Sequence, residues 1–338
     1  MSADSTVSPR WPALRLPGTS GLARKHLPFV TTISLFVALA TLGAWRYEGF
    51  LSTQVALNLL IDNAFLLVVA VGMTFVILTG GIDLSVGSVI ALTTMLCATL
   101  VEHHGWSPGL AIPLVLALGG GFGAFMGLLI ERFRLQPFIV TLAGMFLARG
   151  LCYVISVDSI SITNETYSAL AEWRLPVVAG ASLSLGALVA LGVFLLAIFV
   201  AHGTPFGRTV YAIGGNEQSA RLMGLPVRST LVGVYALSGL CSAIAGVLFT
   251  FYMLSGYGQH ATGLELDAIA AVVIGGTLLS GGAGHVAGTL FGVLTLGTIQ
   301  TLISFDGTLS SWWTRIVIGA LLFAFCLMQR FITARAAT

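Results

Sequence analysis

Ten long apolar stretches dominate the chain, and a run of about 20 such residues is what a helix needs to cross a hydrocarbon layer roughly 30 Å thick. They fall near 28 to 45, 55 to 79, 86 to 103, 109 to 130, 136 to 156, 180 to 202, 228 to 254, 266 to 280, 284 to 303 and 316 to 332. The eighth is short and reads either as a span or as a re-entrant segment. A soluble core is excluded: 57% of the 338 residues are hydrophobic and only 8% are charged, against about 25% charged in an ordinary globular domain. The expected fold is an all-α integral membrane protein of about ten transmembrane helices, occupying residues 28–332.

Lys and Arg concentrate on the cytoplasmic side of membrane proteins. With the N-terminus inside, that side carries Arg10, Arg15, Arg24 and Lys25, then Arg132 and Arg134, then Arg208, Arg221 and Arg228, and finally Arg330 and Arg335; the opposite loops hold Arg46, Arg174 and, at a boundary, Arg315. Ten spans and two cytoplasmic termini agree with that distribution. Residues 1–27 are polar, basic and proline-bearing, which predicts a disordered cytoplasmic tail ahead of a retained first helix with no evident cleavage site. Residues 333–338 form a second short tail. The net charge of +2 follows from this topology and gives no reason to expect a nucleic-acid partner; lipid is the medium.

One interruption stands out. TGGIDLSVGS, Thr79 to Ser88, places three glycines, an aspartate and two serines between AFLLVVAVGMTFVIL and VIALTTMLCATLV. Irregular backbone is tolerated at membrane depth only where protein or a water-filled cavity surrounds it, so this break faces the protein interior. Two readings of Asp83 are open and compatible. A membrane carboxylate commonly lines a pathway or has a partner, whereas Asp83 or Ser85 can equally cap the helix that follows. Arg149, inside the fifth span, either snorkels to an interface or pairs with Asp62, Asp83, Glu265 or Asp267. His285 reads as structural, and the four cysteines, Cys97, Cys152, Cys241 and Cys326, as buried apolar thiols without disulfide or zinc spacing.

GGIDLSVG (80–87) recurs as GGTLLSGG (275–282). The match aligns Gly80 with Gly275, Gly81 with Gly276, Ser85 with Ser280 and Gly87 with Gly282, and the second copy contributes Gly281. Two related halves, each with a glycine-broken central segment, are expected, since discontinuous helices in transporters meet near the midplane and form the path. Gly119, Gly123 and Gly127, and again Gly284, Gly288 and Gly292, put small residues on one helical face and predict close helix packing.

The chain carries no nucleotide-hydrolysing motif: its only lysine is Lys25, outside any G-x-x-x-x-G-K pattern. No nucleophile, base and orienting residue cluster in the spans, so an enzyme is not expected, nor a bound cofactor. Ion coupling calls for several intramembrane carboxylates or histidines, and Asp83 is nearly alone. In the large cytoplasmic loop, 203–228, a turn at Gly214 and Gly215 precedes Asn216, which can cap a short helix through Glu217, Ser219, Arg221, Leu222 and Met223, ending at Gly224 and closed by Pro226. Its charged and apolar residues suit docking to a partner.

In their order and spacing, GGIDLSVGS, GGNEQSARLMG and GGTLLSGGAG resemble the permease subunits of ribose-type ABC importers for monosaccharides. The likeness runs from about residue 28 to 330. Within that family, DNAFLLVVAVGMTFVILTGGIDLSVGSVIA, ELDAIAAVVIGGTLLSGG and FDGTLSSWWT are similar to the galactofuranose branch. The resemblance implies that two permeases, here a heterodimer, pair around the path. It also implies two cytoplasmic ATPase subunits that hydrolyse the ATP and a periplasmic sugar-binding protein that delivers the cargo. Helix 216–224 would match the coupling helix that enters the ATPase, and segments 79–88 and 275–284 would line or gate the path in a bacterial inner membrane. A permease of this architecture for branched-chain amino acids or nucleosides, and an ion-coupled carrier, are the competing readings.

Overall fold

The computed structural model describes residues 21–178, 180–308, 310 and 312–334. The first half comprises α1 (Gly21–Arg46), α2 (Thr53–Asp62), α3 (Ala64–Leu78), α4 (Val86–Ala98), α5 (Pro108–Phe133) and α6 (Pro137–Ile155). A short helix, α7 (Glu165–Glu172), leads to α8 (Leu185–Gly203), α9 (Pro205–Gly215) and α10 (Glu217–Leu222), and the chain ends with α11 (Val227–Met253), α12 (Leu264–Ile274), α13 (Val286–Asp306) and α14 (Trp312–Ala334). Two small antiparallel ribbons complete the fold: Ile160–Ser161 pairs with Ser255–Gly256, and Arg174–Val178 with Ala181–Ser184.

Helix α1 begins at Gly21, inside the tail expected to be disordered, and α14 continues to Ala334. Arg10, Arg15 and Arg335 lie outside the described residues. Each expected span overlaps a helix or a helix pair, but the sixth begins in the ribbon strand Ala181–Ser184 and the eighth, 266–280, runs six residues past the end of α12. Among the described residues, seven helices are long and apolar enough to cross a membrane, α4 counting with the π-helical turn Thr99–His103 that continues it, and the pair α2 and α3, bent by 53°, would make an eighth, fewer than the ten spans expected. This is an all-α integral membrane protein. Helix α12 has 11 residues, too short to cross at 1.5 Å per residue.

The local chemistry explains the boundaries. Proline at the first position opens α5 and α6, where the missing N–H costs nothing and φ is already helical. Ser184 Oγ accepts from Ala187 N at 3.2 Å to cap α8. The bend between α2 and α3 falls at Asn63, whose Nδ2 donates to Leu59 O at 2.9 Å.

At the centre lies α3, where every residue but Phe65 is buried. A helix apolar on all sides belongs in the interior of a bundle. It packs against α8, α11, α12 and α13, and Thr74 Oγ1 meets Thr289 Oγ1 of α13 at 2.7 Å. The perimeter is set by α1, α5, α6 and α8, whose buried share is far smaller.

The glycine runs pack as expected. A Cβ on Gly123 would overlap the Tyr235 carbonyl, and one on Gly119 would stand 2.9 Å from Gly239 O. Gly288 and Gly292 likewise press against the Gly275 and Ala271 carbonyls of α12, whereas Gly284 lies ahead of α13, in the second break. Replacing Gly123 with leucine should therefore destabilise the detergent-solubilised protein by about 1–3 kcal/mol, read as a lowered melting temperature. Gly121→Leu, where a Cβ meets nothing within 4 Å, should leave it unchanged.

Candidate functional site

Helix α3 stops because Gly80 takes φ +81°, a left-handed conformation open to glycine at little cost. Gly80 N then donates to Ile77 O at 2.8 Å and Gly81 N to Val76 O at 3.1 Å, the paired bonds of a Schellman cap. Helix α12 stops in the same way: Gly276 has φ +90°, Gly276 N donates to Val273 O at 3.0 Å and Thr277 N to Val272 O at 3.2 Å. The two breaks are the same device, but in a different register from the sequence match. Gly80 corresponds to Gly276, not Gly275, and Gly81 to Thr277. Helix resumes six residues after Gly80, at Val86, but ten after Gly276, at Val286. Ser85 and Ser280 are thus not equivalent: the first precedes α4 and is buried, whereas the second lies in an exposed turn.

Asp83 is fully enclosed. Its Oδ1 accepts from Ser85 N at 2.9 Å and Ser85 Oγ at 2.6 Å, and its Oδ2 accepts from Ser238 Oγ of α11 at 2.7 Å. The carboxylate fixes the entry to α4, where the helix dipole favours negative charge, and ties it to the middle of α11. Beside it the buried Tyr235 hydroxyl makes no hydrogen bond among the described residues, and a Cβ on Gly81 would overlap it. Gly87, one residue into α4, admits Glu265 of α12: its Cβ would overlap Oε2, which is itself buried and without a hydrogen-bond partner.

Arg149 pairs with none of the carboxylates weighed for it. Its Nη1 donates to Gly258 O at 2.6 Å and His260 O at 2.8 Å, satisfying carbonyls of the irregular connection between α11 and α12. His285 sits at the start of α13, its ring 6.2 Å from that of Phe29 and 6.1 Å from that of His202.

The two breaks touch each other and a third element. Gly282 N donates to Leu78 O at 2.9 Å, and a Cβ on Gly281 would stand 2.7 Å from Gly80 N. Gly214 closes the junction, since a Cβ there would overlap both the Leu78 carbonyl and Gly282 N, and Tyr211 Oη donates to Gly284 O at 3.0 Å. Gly214 and Gly215 are the last residues of α9, not a turn. That helix is announced by Thr204, whose hydroxyl accepts from Gly207 N at 3.3 Å, followed by Pro205 at its first position. Together they form a start signal that the apolar-run reading passed over.

Directly after α9 comes the short helix expected at 216–224. Asn216 Oδ1 accepts from Ser219 N at 2.8 Å, Glu217 and Arg221 pair at 2.8 Å, and Gly224, φ +75°, ends it. Ala220 is buried with Ile213 and Val227, which roots α10 on the membrane helices. On the opposite side Leu222 is 89% and Met223 67% exposed, so two large apolar side chains are left mostly uncovered.

A sequence profile described as the permease component of the branched-chain amino acid transport system matches residues 55–326. The chain belongs to this family. Among the permease's relatives, the inner membrane ABC transporter permease protein YjfF of Escherichia coli is 53% identical over 314 residues, covering 92% of this chain and 94% of that protein. The fructose import permease protein FruG of Bifidobacterium longum is 37% identical, covering 93% of each, and the ribose import permease protein RbsC of Bacillus subtilis is 40% identical, covering 92% and 94%. These relatives are transport permeases, not enzymes. No solved structure matches the permease.

Replacing Asp83 with alanine strands the Ser85 amide and the Ser238 hydroxyl in an enclosed site. The variant should lose about 2–4 kcal/mol of stability, the scale of buried donors left unmade, with Ser238→Ala losing less. Thermal unfolding in detergent measures both, and a wild-type melting point for Asp83→Ala would show that the carboxylate does not hold the break.

Proposed function

We propose that the permease forms one side of the translocation path of an ABC importer for a monosaccharide, with galactofuranose as the specific cargo. The single observation that carries the reading is the 53% identity to an inner membrane ABC transporter permease across nearly the whole chain. Relatives named for fructose and ribose support a neutral monosaccharide over the branched-chain amino acids in the family's description. The similarity of the stretches around 62–91, 265–282 and 305–314 to the galactofuranose branch supports the finer substrate.

In this reading the partners are two ATPase subunits, a second and different permease, and a periplasmic sugar-binding protein. The chain itself holds no cofactor, and ATP is hydrolysed by the partners. It sits in a bacterial inner membrane with both termini cytoplasmic, as the distribution of Arg residues supports. Leu222 and Met223 on α10 enter a cleft of the ATPase. When the ATPase dimer closes on nucleotide, α10 moves, and α9 transmits the displacement to the Leu78–Gly282–Gly214 junction. Both breaks therefore receive the movement at one point. Here Gly80, Gly81, Asp83, Ser85 and Gly87 of the first, and Gly275, Gly276, Ser280, Gly281 and Gly282 of the second, line or gate the path. Ligand, ATP and delivery protein act by shifting populations of inward- and outward-facing states, and a neutral sugar needs only a transient polar route.

Two measurements test this. Radiolabelled furanose and pyranose sugars are offered to cells expressing the chain with its neighbouring transporter genes, with and without the ATPase. Furanose uptake that requires the ATPase is the expected result, and uptake that survives its loss but collapses with the ion gradient would make the protein a secondary carrier. Replacing Arg221 and Leu222 together with glutamate should sharply reduce co-purification of the ATPase while the permease remains inserted; undiminished co-purification would remove α10 from the coupling role.

A further inference from the structure

The short helix α12 leaves space that the neighbouring helices do not fill. Along its length it runs antiparallel to α13, with the Gly275 carbonyl against Gly288 and the Ala271 carbonyl against Gly292. That spacing brings Leu264, where α12 begins, level with about Gln300. From there to Asp306, α13 continues with no α12 beside it. The vacated volume is a cavity of about 600 Å³ between α12, α13 and α14. Its lining includes Gly307, at the end of α13.

The lining is unusual for membrane depth. Asp267 of α12, Gln300 and Ser304 of α13 and Arg315 of α14 line it, and Ile303 and Ile318 add apolar surface. Arg315 Nη1 stands 3.8 Å from Asp267 Oδ1, close enough for attraction but beyond hydrogen-bond reach. The approach is permitted by Gly263, where a Cβ would come within 2.9 Å of Nη1. Among the described residues the side chains of Asp267, Gln300 and Arg315 make no hydrogen bond. A carboxylate, an amide and a guanidinium with unused bonding capacity therefore converge on one cavity, whose size lies within the roughly 300–1,000 Å³ of small-ligand sites.

We propose that this cavity is a sugar-binding vestibule of the permease itself, a proposal that rests on the monosaccharide-import reading. Adjacent hydroxyls of one ring donate to the Asp267 carboxylate, Gln300 and Arg315 bond to further hydroxyl oxygens, and the C–H face of the ring lies on Ile303 and Ile318. The hydroxyl pattern then bears on which sugar passes from the delivery protein into the membrane. Selectivity is shared between the two proteins. Asp267 also belongs to the helix that ends at the second break, which places the bound sugar one short helix away from the gate.

The test uses the complete transporter in intact cells. Ser304→Cys should react with a membrane-impermeant maleimide added from outside, and the transported sugar should slow that reaction while a non-transported sugar does not. Asp267→Asn should change the uptake ratio of two competing sugars roughly ten-fold, the scale of one hydrogen bond to a charged acceptor, and Asp267→Glu should restore part of it. Because the ratio is taken within the same cells, poor expression does not imitate the effect, and the labelling arm stands even if Asp267→Asn fails to assemble. Sugar uptake with Ser304→Cys unlabelled, or labelled equally with every sugar, and an unchanged uptake ratio would overturn the vestibule alone. Protection by a zwitterionic amino acid in place of a sugar would overturn it as well. A wild-type transporter that takes up no sugar would defeat the import reading first.

Discussion

A backbone amide inside hydrocarbon has no solvent to bond to, and an unpaired one costs several kcal/mol. The fold of this permease depends on how that constraint is met where two of its helices stop. Both α3 and α12 end in Schellman caps, which satisfy the carbonyls of Val76 and Ile77 in one and of Val272 and Val273 in the other. What the caps leave over is met between elements. Gly282 N bonds Leu78 O, Tyr211 Oη bonds Gly284 O, and Asp83 takes the Ser85 amide while Ser238 secures its other oxygen. The breaks persist because protein surrounds them, which is why α3 must lie at the centre of the bundle.

The same constraint gives the breaks their mechanical character. Where Gly214, Gly282 and Leu78 meet, main chain touches main chain, and no side chain stands between to absorb a displacement by changing rotamer. Close-packed interiors transmit strain, and this contact is tighter than side-chain packing allows. A movement of α9 therefore cannot stop at the junction. It must either be resisted by both breaks or carried by both, and the glycines at Gly80 and Gly276 have the backbone freedom to carry it.

Much of this was legible in the sequence because the relevant signals are local. Apolar runs marked the helices, Asn216 and Gly224 bounded α10, and the Gly-Gly pairs marked both breaks. The register of the repeat was not legible, because two adjacent glycines can supply the left-handed residue at either position, and only the hydrogen bonds assign it to Gly80 in one case and Gly276 in the other. Helix α9 was missed for a different reason: with only 11 residues and a glycine pair at its end, it resembles a loop to any reading keyed to membrane length. The bend at Asn63 has no breaker but a single amide, buried beside Gly297. Charge alone directs Arg149 to an interface or a carboxylate, while its partners are carbonyls whose identity no sequence pattern encodes.

The likeness of the two broken segments makes their differences informative. The first unit is long before its break, α2 and α3 together reaching across the bundle, and resumes as helix almost at once. The second is short before its break and carries four more residues within it. A duplicated device held in one environment would have no reason to diverge in this way. The first unit is enclosed by α11 and α8, and the carboxylate in its break, Asp83, is held by three hydrogen bonds. The second gives up half of a membrane span, opens a polar volume above α12 and leaves its charged groups with bonding capacity to spare. Burial and hydrogen bonding are concentrated in the first unit and open polar volume in the second, and the two meet at Gly282.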